Sequence, residues 1–406
     1  MKSRISVSIA ILSSFIIIFL VMPPAVVADI SGGSLSFRYL SSLMNEQIEP
    51  EHMSVPEETQ IPVTTPAPTP VQIPTPTPEP TPAAPTPTPT APQETLTSPT
   101  PVPEITITIS AAGDTIPGGC PKASSYSTFM AIAGEIEDMS YFLQNVRHIF
   151  EEDDLTILNL EGVFTNETRH MGKRFNHRAD PRYVDMLSSS SVEAVSLANN
   201  HTEDYFEKGY NDTIEILEDA GVAYFGNEFN TILEIKGVKV GLFGYLMWAW
   251  MEDESKILAS IEELKENGAE LIIAYFHWGE EYVHTPNQSQ RRIGRFTIDN
   301  GADLVLGAHP HIVQGIEVYN GKNIVYSLGN FAYGGHANPP DKDTFIFQQT
   351  FTFVDGILQD TNDTNIIPAF ISSNRHRNNY QPMIAEGDEA VRILERLERL
   401  SNQLVN

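Results

Sequence analysis

Cysteine is nearly absent from this sequence. Its 406 residues include a single cysteine, Cys120, so no disulfide bond can form within the chain. A chain of this kind that folds outside the cytoplasm has to be stabilised by a large hydrophobic core or by a bound metal ion. The length is sufficient for one large domain or two ordinary ones, so a core of that size can form.

Basic side chains are also scarce. The chain has 25 lysines and arginines against 53 aspartates and glutamates, and its formal net charge at pH 7 is −28. Such a surface repels nucleic acid, because phosphate binding requires a basic patch. It also disfavours loose adhesion to anionic lipid. We therefore predict no nucleic-acid partner, and we interpret the acidity as a feature that keeps an exported protein soluble.

Three short catalytic signatures are missing as well. The sequence has no G-x-S-x-G elbow, and no base lies near Cys120 in the sequence, so a nucleophile triad is disfavoured. It has neither a G-x-G-x-x-G loop nor a Walker-type loop, which disfavours a nucleotide-phosphate site. Metal-assisted hydrolysis remains the chemical class that fits best.

The N-terminus carries a long apolar segment. Lys2 and Arg4 precede an apolar run over residues 5–22, and two prolines and the small-residue sequence Val26-Val27-Ala28 follow it. This order is typical of a secretory signal peptide. The run also approaches the roughly 20 residues that span a bilayer, so an uncleaved anchor fits equally well. In both cases residues 1–28 direct the remainder out of the cell, either secreted or held at the extracellular face of the membrane.

Residues 29–103 are predicted to form a disordered linker rich in proline and threonine. Between Pro56 and Pro103 lie 17 of the 29 prolines of the chain, interleaved with threonine, alanine and glutamate. Such a segment lacks the apolar residues for a core and favours an extended, polyproline-II-like spacer. Following a signal or anchor, it would hold the next domain clear of the cell envelope.

The remaining residues, 104–406, are predicted to form one folded domain in which strands alternate with helices. Short apolar, β-branched runs predict strands at 105–110, 155–160, 194–198, 238–246, 271–276, 304–308 and 323–328. Amphipathic patterns predict helices within 209–221, 260–269, 288–302 and 386–404. This alternation is typical of an α/β sheet covered on both faces.

Polar residues recur where those strands end. The strand ends carry Asp114, Glu161, Asn200, His201, His277, His309, His311 and Asn330. The carboxyl ends of strands in an α/β sheet line one crevice, and oxygen and imidazole ligands suit Mn, Zn, Fe or Mg. His309 and His311 stand two apart in what we expect to be an extended segment, so they should point to the same side.

The alternative is that these residues are ordinary turn formers and helix caps. A single Asp or Asn after a strand usually has that role, and a histidine beside Trp278 is more often packed than ligating. Independent caps would not choose histidine four times when the chain has only 11. We therefore predict a metal or acid–base cluster.

Taken in order, these segments resemble the capsule-synthesis CapA family, which is linked with poly-gamma-glutamate production. The segments that carry the resemblance are AAGDTIPGG, LNLEGVFTN, SLANNHTEDYFEKGYNDTIEILEDAGV, IIAYFHWGEEY and GADLVLGAHPHIVQGIEVYNGKNIVYSLGNF, within about residues 105–375. The family's domain is similar to calcineurin-like metallophosphoesterases. The resemblance implies a four-layer αββα sandwich of two packed sheets flanked by helices.

The resemblance also implies roles for individual residues. One or two divalent metal ions would be held by Asp114, Glu161, Asn200, His277, His309 and His311. His201 would protonate a leaving group, and Arg178 and Asn330 are candidates for binding substrate. Phosphoesterases commonly have a histidine two residues after the first aspartate, where this chain has Ile116, which puts two tightly held metals in doubt. Family members usually have glycine where this chain has Phe206.

Three functions remain open from the sequence. The first is a metal-dependent hydrolase that acts outside the cell on an anionic polymer or a phosphoester. The second is a non-catalytic scaffold or binding subunit of a polymer-synthase and export complex, and the third is an adhesion module on a stalk. The tether favours the second and third, whereas the assembled histidines favour the first.

Overall fold

The computed structural model describes residues 26–31, 34–39, 103–122, 124–248 and 253–404. The predicted apolar segment and almost all of the predicted linker lie outside these residues. The helices within the described ranges include none that is long and apolar enough to cross a membrane. Strands β1 (Val26–Ser31) and β2 (Ser34–Tyr39) pair in an antiparallel hairpin, where we predicted no strand.

The folded domain begins with a long strand and ends with a helix. Its strands in chain order are β3 (Glu104–Ile116), β4 (Leu155–Leu160), β5 (Val163–Phe164), β6 (Arg178–Ala179), β7 (Ala194–Ser196), β8 (Ala223–Phe225), β9 (Thr231–Ile235), β10 (Val238–Met247), β11 (Leu271–Trp278), β12 (Leu304–Ala308), β13 (Ile316–Tyr319), β14 (Lys322–Val325), β15 (Asn330–Tyr333), β16 (Asp343–Val354), β17 (Ile357–Leu358), β18 (Asp363–Phe370) and β19 (Met383–Ile384). Its helices are α1 (Ser124–Glu135), α2 (Arg147–Glu152), α3 (Asp185–Ser188), α4 (Phe206–Ala220), α5 (Glu254–Glu266), α6 (Gln288–Asp299) and α7 (Gly387–Asn402), with short 3-10 turns at Met139–Phe142 and Pro181–Val184.

Most strands of the described domain belong to two sheets. In sheet I the strands lie in the order β19–β18–β16–β3–β4–β7–β8, with β15 beside β3 and β17 beside β16. In sheet II the order is β13–β14–β12–β11–β10–β9. The series β3–β4–β7–β8 is parallel, and so is the series β10–β11–β12–β14. The carboxyl ends of each parallel series therefore meet at one edge of its sheet.

The two sheets pack face to face through an apolar core. Alternation along β11 places Leu271, Ile273 and Tyr275 in the cluster that also contains side chains of sheet I. The intervening residues Ile272 and Ala274 belong to a different cluster on the opposite face. Because β11 is buried on both faces, its sequence is a continuous apolar run rather than an alternating one.

Helices cover the outer face of each sheet. Leu217 of α4 lies in a hydrophobic cluster with Leu158 of sheet I, and Ile261 of α5 and Ile293 of α6 share another with Phe276 of sheet II. The layers are therefore helices, sheet I, sheet II and helices. This confirms the αββα sandwich that the family resemblance implied.

Local signals account for the helix ends that position these layers. The helix α4 ends at Gly221, whose φ of 70° is the left-handed conformation that glycine adopts without strain. The helix α6 begins with a capping box, in which the Asn287 side chain accepts from Gln290 N and the Gln290 side chain accepts from Asn287 N. Both ends lie where the sequence predicted them.

The structure departs from the strand pattern in two ways. The predicted strands exist, but they divide between two sheets instead of lining one open crevice. Two long strands, β16 and β18, were not predicted, although β16 alternates phenylalanines that face the inter-sheet core with half-buried polar residues. That alternation is the signal of an antiparallel strand with one covered face, and it was present in the sequence.

Candidate metal centre

Asp114 reaches the space between the sheets because β3 changes register. Ile107, Ile109 and Ala111 face sheet II, so plain alternation would turn Asp114 towards the helices. The pairing of β3 with β4 shifts between Ala111 and Asp114, and such an irregularity reverses which face the following side chains occupy. Asp114 is consequently buried on the inter-sheet side.

Gly113 allows a neighbouring strand to approach closely at this point. Asp114 N donates a hydrogen bond of 2.9 Å to Gly329 O. A Cβ atom on Gly113 would lie 1.8 Å from the same carbonyl oxygen, so no other residue fits without displacing the backbone. The close approach pairs Asn330 with Asp114 across β15 and β3.

Alternation along β4 directs two further polar residues inward. Leu155 and Ile157 face sheet II, and Asn159 and Glu161 continue the same face. Asn159 Nδ2 donates a hydrogen bond of 2.7 Å to Asp114 Oδ1. The Asn159 amide therefore fixes the orientation of the Asp114 carboxylate and leaves its other oxygen, Oδ2, to contact other groups of the cluster.

Glu161 lies at the middle of the cluster. It is fully buried, and neither of its oxygens has a hydrogen-bond partner among the described residues. His277 Nε2 is 3.6 Å from Oε1, His201 Nε2 is 3.9 Å from Oε1, and His311 Nδ1 is 3.9 Å from Oε2. Burial, followed by repulsion from Asp114, raises the pKa of Glu161 well above its usual range, although His311 acts in the opposite direction.

His277 extends β11 on the face that Tyr275 occupies. Its Nε2 lies 2.8 Å from Asn200 Oδ1, and its Nδ1 lies 3.2 Å from Asn159 Nδ2. Burial, together with the neighbouring ring of His309, lowers the pKa of His277 well below its usual range. The ring is therefore held neutral, which is the form that binds a metal.

His309 and His311 lie in a loop, and our expectation of an extended segment was wrong. Their φ angles are 96° and 59°, in the left-handed region that residues other than glycine rarely occupy. The two rings still come close, with centroids 5.9 Å apart. Strained backbone of this kind persists when surrounding contacts enforce it, and it is frequent at functional sites.

The contacts that enforce the loop involve its backbone and both rings. His309 N donates to Asp114 Oδ2 at 3.3 Å, and the His309 ring packs edge-on against Trp248 at 4.6 Å. Its Nδ1 is buried and lacks a hydrogen-bond partner in the described part of the chain. Burial, with the nearby rings of His311 and His201, lowers the pKa of His309 well below its usual range.

Unlike His277 and His309, His311 favours its charged form. Its Nδ1 lies 3.0 Å from Asp114 Oδ2 and 3.0 Å from Asn330 Oδ1. Burial lowers the pKa of His311, but the carboxylates of Glu161 and Asp114 outweigh burial and raise it to about 10. A proton on His311 thus takes the position that a cation between these groups would occupy.

The assembled donors fit a divalent metal ion. Within the described residues, donor atoms lie within 4.8 Å of one another in three overlapping groups: Glu161, His277 and His309; Asp114, Glu161 and His311; Glu281, His309 and His311. Carboxylate and imidazole donors of this mixture suit borderline and hard divalent metals. The unpartnered oxygens of Glu161 and the unpartnered His309 Nδ1 are the atoms that a bound cation would satisfy.

His201 lies at the edge of this cluster, and Asp204 and His177 fix the orientation of its ring. Its Nδ1 is 2.6 Å from Asp204 Oδ2, and its ring packs against His177 with centroids 4.1 Å apart. Asp204 also accepts from Lys173 Nζ at 2.8 Å and from His177 N at 2.6 Å. Burial raises the pKa of Asp204, but the partners His201 and Lys173 outweigh it and lower that pKa. The arrangement leaves His201 Nε2 directed towards Glu161.

The two predicted substrate-binding residues have other contacts. Both ends of the Asn330 side chain contact His311, because Oδ1 lies 3.0 Å from His311 Nδ1 and Nδ2 donates to His311 O at 2.9 Å. The Arg178 guanidinium lies 5.5 Å from the centre of the Tyr205 ring and donates to Glu167 O. Their binding of substrate stays a prediction, whereas Asn330 clearly positions the loop of His311.

The structure brings together the six predicted ligands and adds residues that the strand-end argument missed. Asn159 orients Asp114, Asp204 holds His201, and Glu281 joins one of the donor groups. Asn159 follows Ile157 by two positions on the same strand, and this alternation was the signal that it faces inward. The strand-end pattern did not include Asp204, although it follows His201 by only three residues.

The chain matches a known family over most of its folded domain. The model of the family described as bacterial capsule synthesis protein PGA_cap matches residues 108–334. The chain is 29% identical over 213 residues to the PGA biosynthesis protein CapA of Bacillus subtilis, covering 47% of this chain and 56% of that protein. It is 30% identical over 184 residues to the capsule biosynthesis protein CapA of Bacillus anthracis, covering 40% and 45%.

The chain is also similar to a more distant relative and to two solved structures. A probable polyglutamine synthesis accessory protein of Mycobacterium tuberculosis is 24% identical over 220 residues, covering 45% of this chain and 58% of its own. A hypothetical protein from Thermus thermophilus has a TM-score of 0.41 at 15% identity, covering 64% and 99% of the two chains. A purple acid phosphatase from yellow lupin seeds has a TM-score of 0.30 at 8% identity, covering 66% and 55%.

The family match includes the segments that build the cluster. The chain spans about half the length of the curated relatives it matches. The matched residues 108–334 contain Asp114, Glu161, Asn200 and the three clustered histidines of sheet II. This chain belongs to the family of bacterial capsule synthesis proteins of the PGA_cap type.

Proposed function

We propose that this protein is a metal-dependent hydrolase that acts outside the cell during the synthesis or processing of a capsule or poly-gamma-glutamate-type polymer. Its substrate would be an anionic polymer or a phosphoester. The names of the curated relatives, which refer to capsule and PGA biosynthesis, support the polymer context. The donor cluster between the sheets supports the metal-dependent chemistry.

One observation carries the proposal. Glu161 is fully buried beside Asp114, and both of its oxygens lack hydrogen-bond partners among the residues that the structure describes. Burying a carboxylate in this way is costly unless a cation or a hydrogen bond compensates it. Imidazoles of His277, His309 and His311 surround the same space, so a divalent cation there would be bound by oxygen and nitrogen together. We propose Mn, Zn, Fe or Mg as the ion, and one or two ions in number.

The residues around the cluster divide the chemical work. A divalent ion held by these residues would lower the pKa of a water molecule and polarise the bond to be cleaved. Asn159 and Asn330 hold Asp114 and His311 in place through their amides. Asp204 lies 2.6 Å from His201 Nδ1 and so orients Nε2 towards the cluster, where His201 would donate a proton to a leaving oxygen.

A cavity beside the cluster has room for a polymer segment. It has a volume of about 570 Å³ and is lined by Asn200, Lys173, Tyr245, Lys256 and several carboxylates. Asn200 links the cavity to the cluster because its Oδ1 contacts His277. The anionic groups of a substrate would contact Lys173 and Lys256, and its hydrogen-bonding groups would contact Asn200 and Tyr245.

The second candidate is a non-catalytic scaffold or binding subunit of a polymer-synthase complex. The Mycobacterium tuberculosis relative is named as a probable accessory protein, which favours a supporting part in synthesis. In this case the metal would stabilise the fold and the surface would bind polymer or synthase. Attachment to the membrane through residues 1–28 would serve either candidate.

Metal content and hydrolysis distinguish the two. We would purify the full chain, measure bound metals by mass spectrometry, and assay a phosphodiester and a γ-glutamyl anilide. The variants are Asp114→Asn and His309→Ala, with Asp360→Asn and His376→Ala as matched controls at exposed positions. The hydrolase proposal expects bound metal and turnover that both cluster variants abolish and both controls retain.

Other outcomes are equally informative. Bound metal without turnover, combined with retained polymer binding, would favour the scaffold. Protein free of metal and without turnover would reject the metal-dependent hydrolase. Fractionation of cells, together with protease accessibility of the folded domain, tests its place outside the membrane: protection in intact cells would reject export.

A further inference from the structure

The loop that follows β11 lies against the ligand loop of His309 and His311. Two residues of this loop, Gly279 and Tyr282, have φ angles of 85° and 60°. Tyr282 N donates a hydrogen bond of 2.8 Å to Pro310 O, between the two histidines. The Tyr282 ring is 6.2 Å from the His311 ring. The backbone of the two loops is thus joined directly, in a conformation that only specific contacts maintain.

This junction places Glu281 at the mouth of the cluster. A carboxylate oxygen of Glu281 lies within 4.8 Å of ring nitrogens of His309 and His311. Each of those histidines belongs to a second donor group deeper in the protein, one with Glu161 and His277 and the other with Asp114 and Glu161. Glu281 therefore adjoins both parts of the cluster from the side that faces solvent.

The buried carboxylates leave the cluster short of negative charge for two divalent ions. Each inner group offers three carboxylate or imidazole side chains. Asp114 and Glu161 bring two negative charges, fewer than two divalent cations carry. His309 belongs to the donor group of Glu281, and its Nδ1 is a buried nitrogen without a hydrogen-bond partner in the described residues, as expected of a side chain that binds a cation.

We infer that Glu281 is a further metal ligand, which closes the cluster on its solvent side and adds a third carboxylate to Asp114 and Glu161. The inference rests on the proposed metal centre and extends it. Its neighbour Glu280 is also exposed and carries the same charge, but it belongs to none of the donor groups found among the described residues. The two adjacent glutamates therefore form a matched pair.

Metal binding by the full chain tests the inference. The metal-free protein would be titrated with Mn²⁺ and, separately, with Co²⁺, in wild type and in the variants Glu281→Gln, Glu280→Gln and Glu161→Gln. Calorimetry gives the affinity for Mn²⁺, and the visible absorption of Co²⁺ reports its ligands. Far-UV circular dichroism checks that each variant is folded.

We expect Glu281→Gln to weaken Mn²⁺ binding by about 10-fold or more and to change the Co²⁺ spectrum. Glu280→Gln should leave both close to wild type. Wild-type affinity and spectrum in Glu281→Gln would overturn the inference while leaving the metal centre intact. Equal weakening by both variants, with unchanged spectra, would also overturn it, because general charge would then be the cause. If wild type binds neither ion, the metal centre itself fails, and the inference fails with it.

Discussion

The two sheets bring different chemistry to one cluster. Sheet I and the loops after its strands supply the carboxylates and an amide: Asp114, Glu161 and Asn200. Sheet II and the loops after its strands supply the imidazoles: His277, His309 and His311. Alone, the first set would place repelling charges in a buried space, and the second would be a group of neutral rings. Only the packing of one sheet against the other makes a set of donors that suits a divalent cation.

The donors from the two sheets also differ in their protonation. Burial and Asp114 raise the pKa of Glu161, so that this carboxylate tends to keep a proton. Burial lowers the pKa of His277 and of His309, so that these rings tend to lose theirs. Both shifts remove charge from the same buried space. Glu161 should therefore respond to pH in the opposite way from His277 and His309.

The largest effect should come from the carboxylate that the two inner donor groups share. Glu161→Gln keeps the size of the side chain but removes the anionic oxygens, so we expect loss of bound metal and a decrease of at least about 1,000-fold in metal-dependent hydrolysis, equivalent to about 4 kcal/mol. Glu152→Gln is the exposed control. Metal analysis and steady-state kinetics measure the change. Unaltered metal content in Glu161→Gln would contradict the shared-ligand role.

The core between the sheets should be the next most sensitive feature. Leu306 of β12 is fully buried in the inter-sheet cluster, so Leu306→Ala should lower the free energy of unfolding by about 3 kcal/mol through lost burial and a residual cavity. Leu258→Ala, at a position 41% exposed, should change it far less. Chemical denaturation with chelator present measures both. Equal effects of the two variants would show that the sheets do not depend on this core.

In the metal-free protein, the effect of pH on stability distinguishes Glu161 from His309. The folded pKa of Glu161 is raised, so the folded state binds more protons and the Glu161 contribution to stability worsens as pH rises above about 4.5. The folded pKa of His309 is lowered, so its contribution worsens as pH falls below about 6.5. Each group can change the free energy of unfolding by at most about 1.4 kcal/mol per pH unit.

Difference measurements isolate these two slopes. The stability gained by Glu161→Gln over wild type should grow with rising pH, and the stability gained by His309→Gln should grow with falling pH. His311, whose pKa is raised to about 10, adds a loss of stability above pH 6.5 in wild type. Thermal unfolding in chelator across the pH range gives the curves. Parallel curves for wild type and both variants would contradict the opposite responses.

The smallest effect should come from a single hydrogen bond between the sheets. Tyr275 of β11 donates to Ala112 O at 2.8 Å, where β3 shifts register beside Asp114. Tyr275→Phe should lower the free energy of unfolding by about 1–2 kcal/mol, because it leaves a buried carbonyl unpaired. Tyr224→Phe removes a comparable bond to Glu218 at the surface and should cost less. Denaturant midpoints compare the two, and a larger loss for Tyr224→Phe would reject the inter-sheet role.

Much of the fold and of the cluster was predictable because the signals are local. The apolar runs around Ile157, Ile273 and Leu306 predicted buried strands, and the glycine after α4 predicted its end. The chemistry at the strand ends predicted which side chains would meet, and the structure brings them together. Their binding of metal stays a prediction, as do the export segment and the linker, which lie almost wholly outside the described residues.

Other features depended on contacts between residues distant in sequence. The pairing of β16 with β3 joins segments from opposite ends of the domain, and no pattern within either strand specifies its partner. The expected extended geometry at His309 and His311 was wrong because contacts with Asp114, Asn330 and the Tyr282 loop hold a left-handed backbone there. The positions of Asp204 and Glu281 likewise follow from the folding of loops.

The sequence by itself therefore determined which segments of the domain form most of its buried strands, and the chemistry at the ends of those strands. These follow from side-chain periodicity and from turn residues, which act over a few positions. Only the tertiary structure decided that the strands form two sheets, that a register shift turns Asp114 inward, and that carboxylates of one sheet meet histidines of the other. Those outcomes are set by the packing of apolar faces across the whole domain, because the free energy that selects them comes from contacts between distant segments.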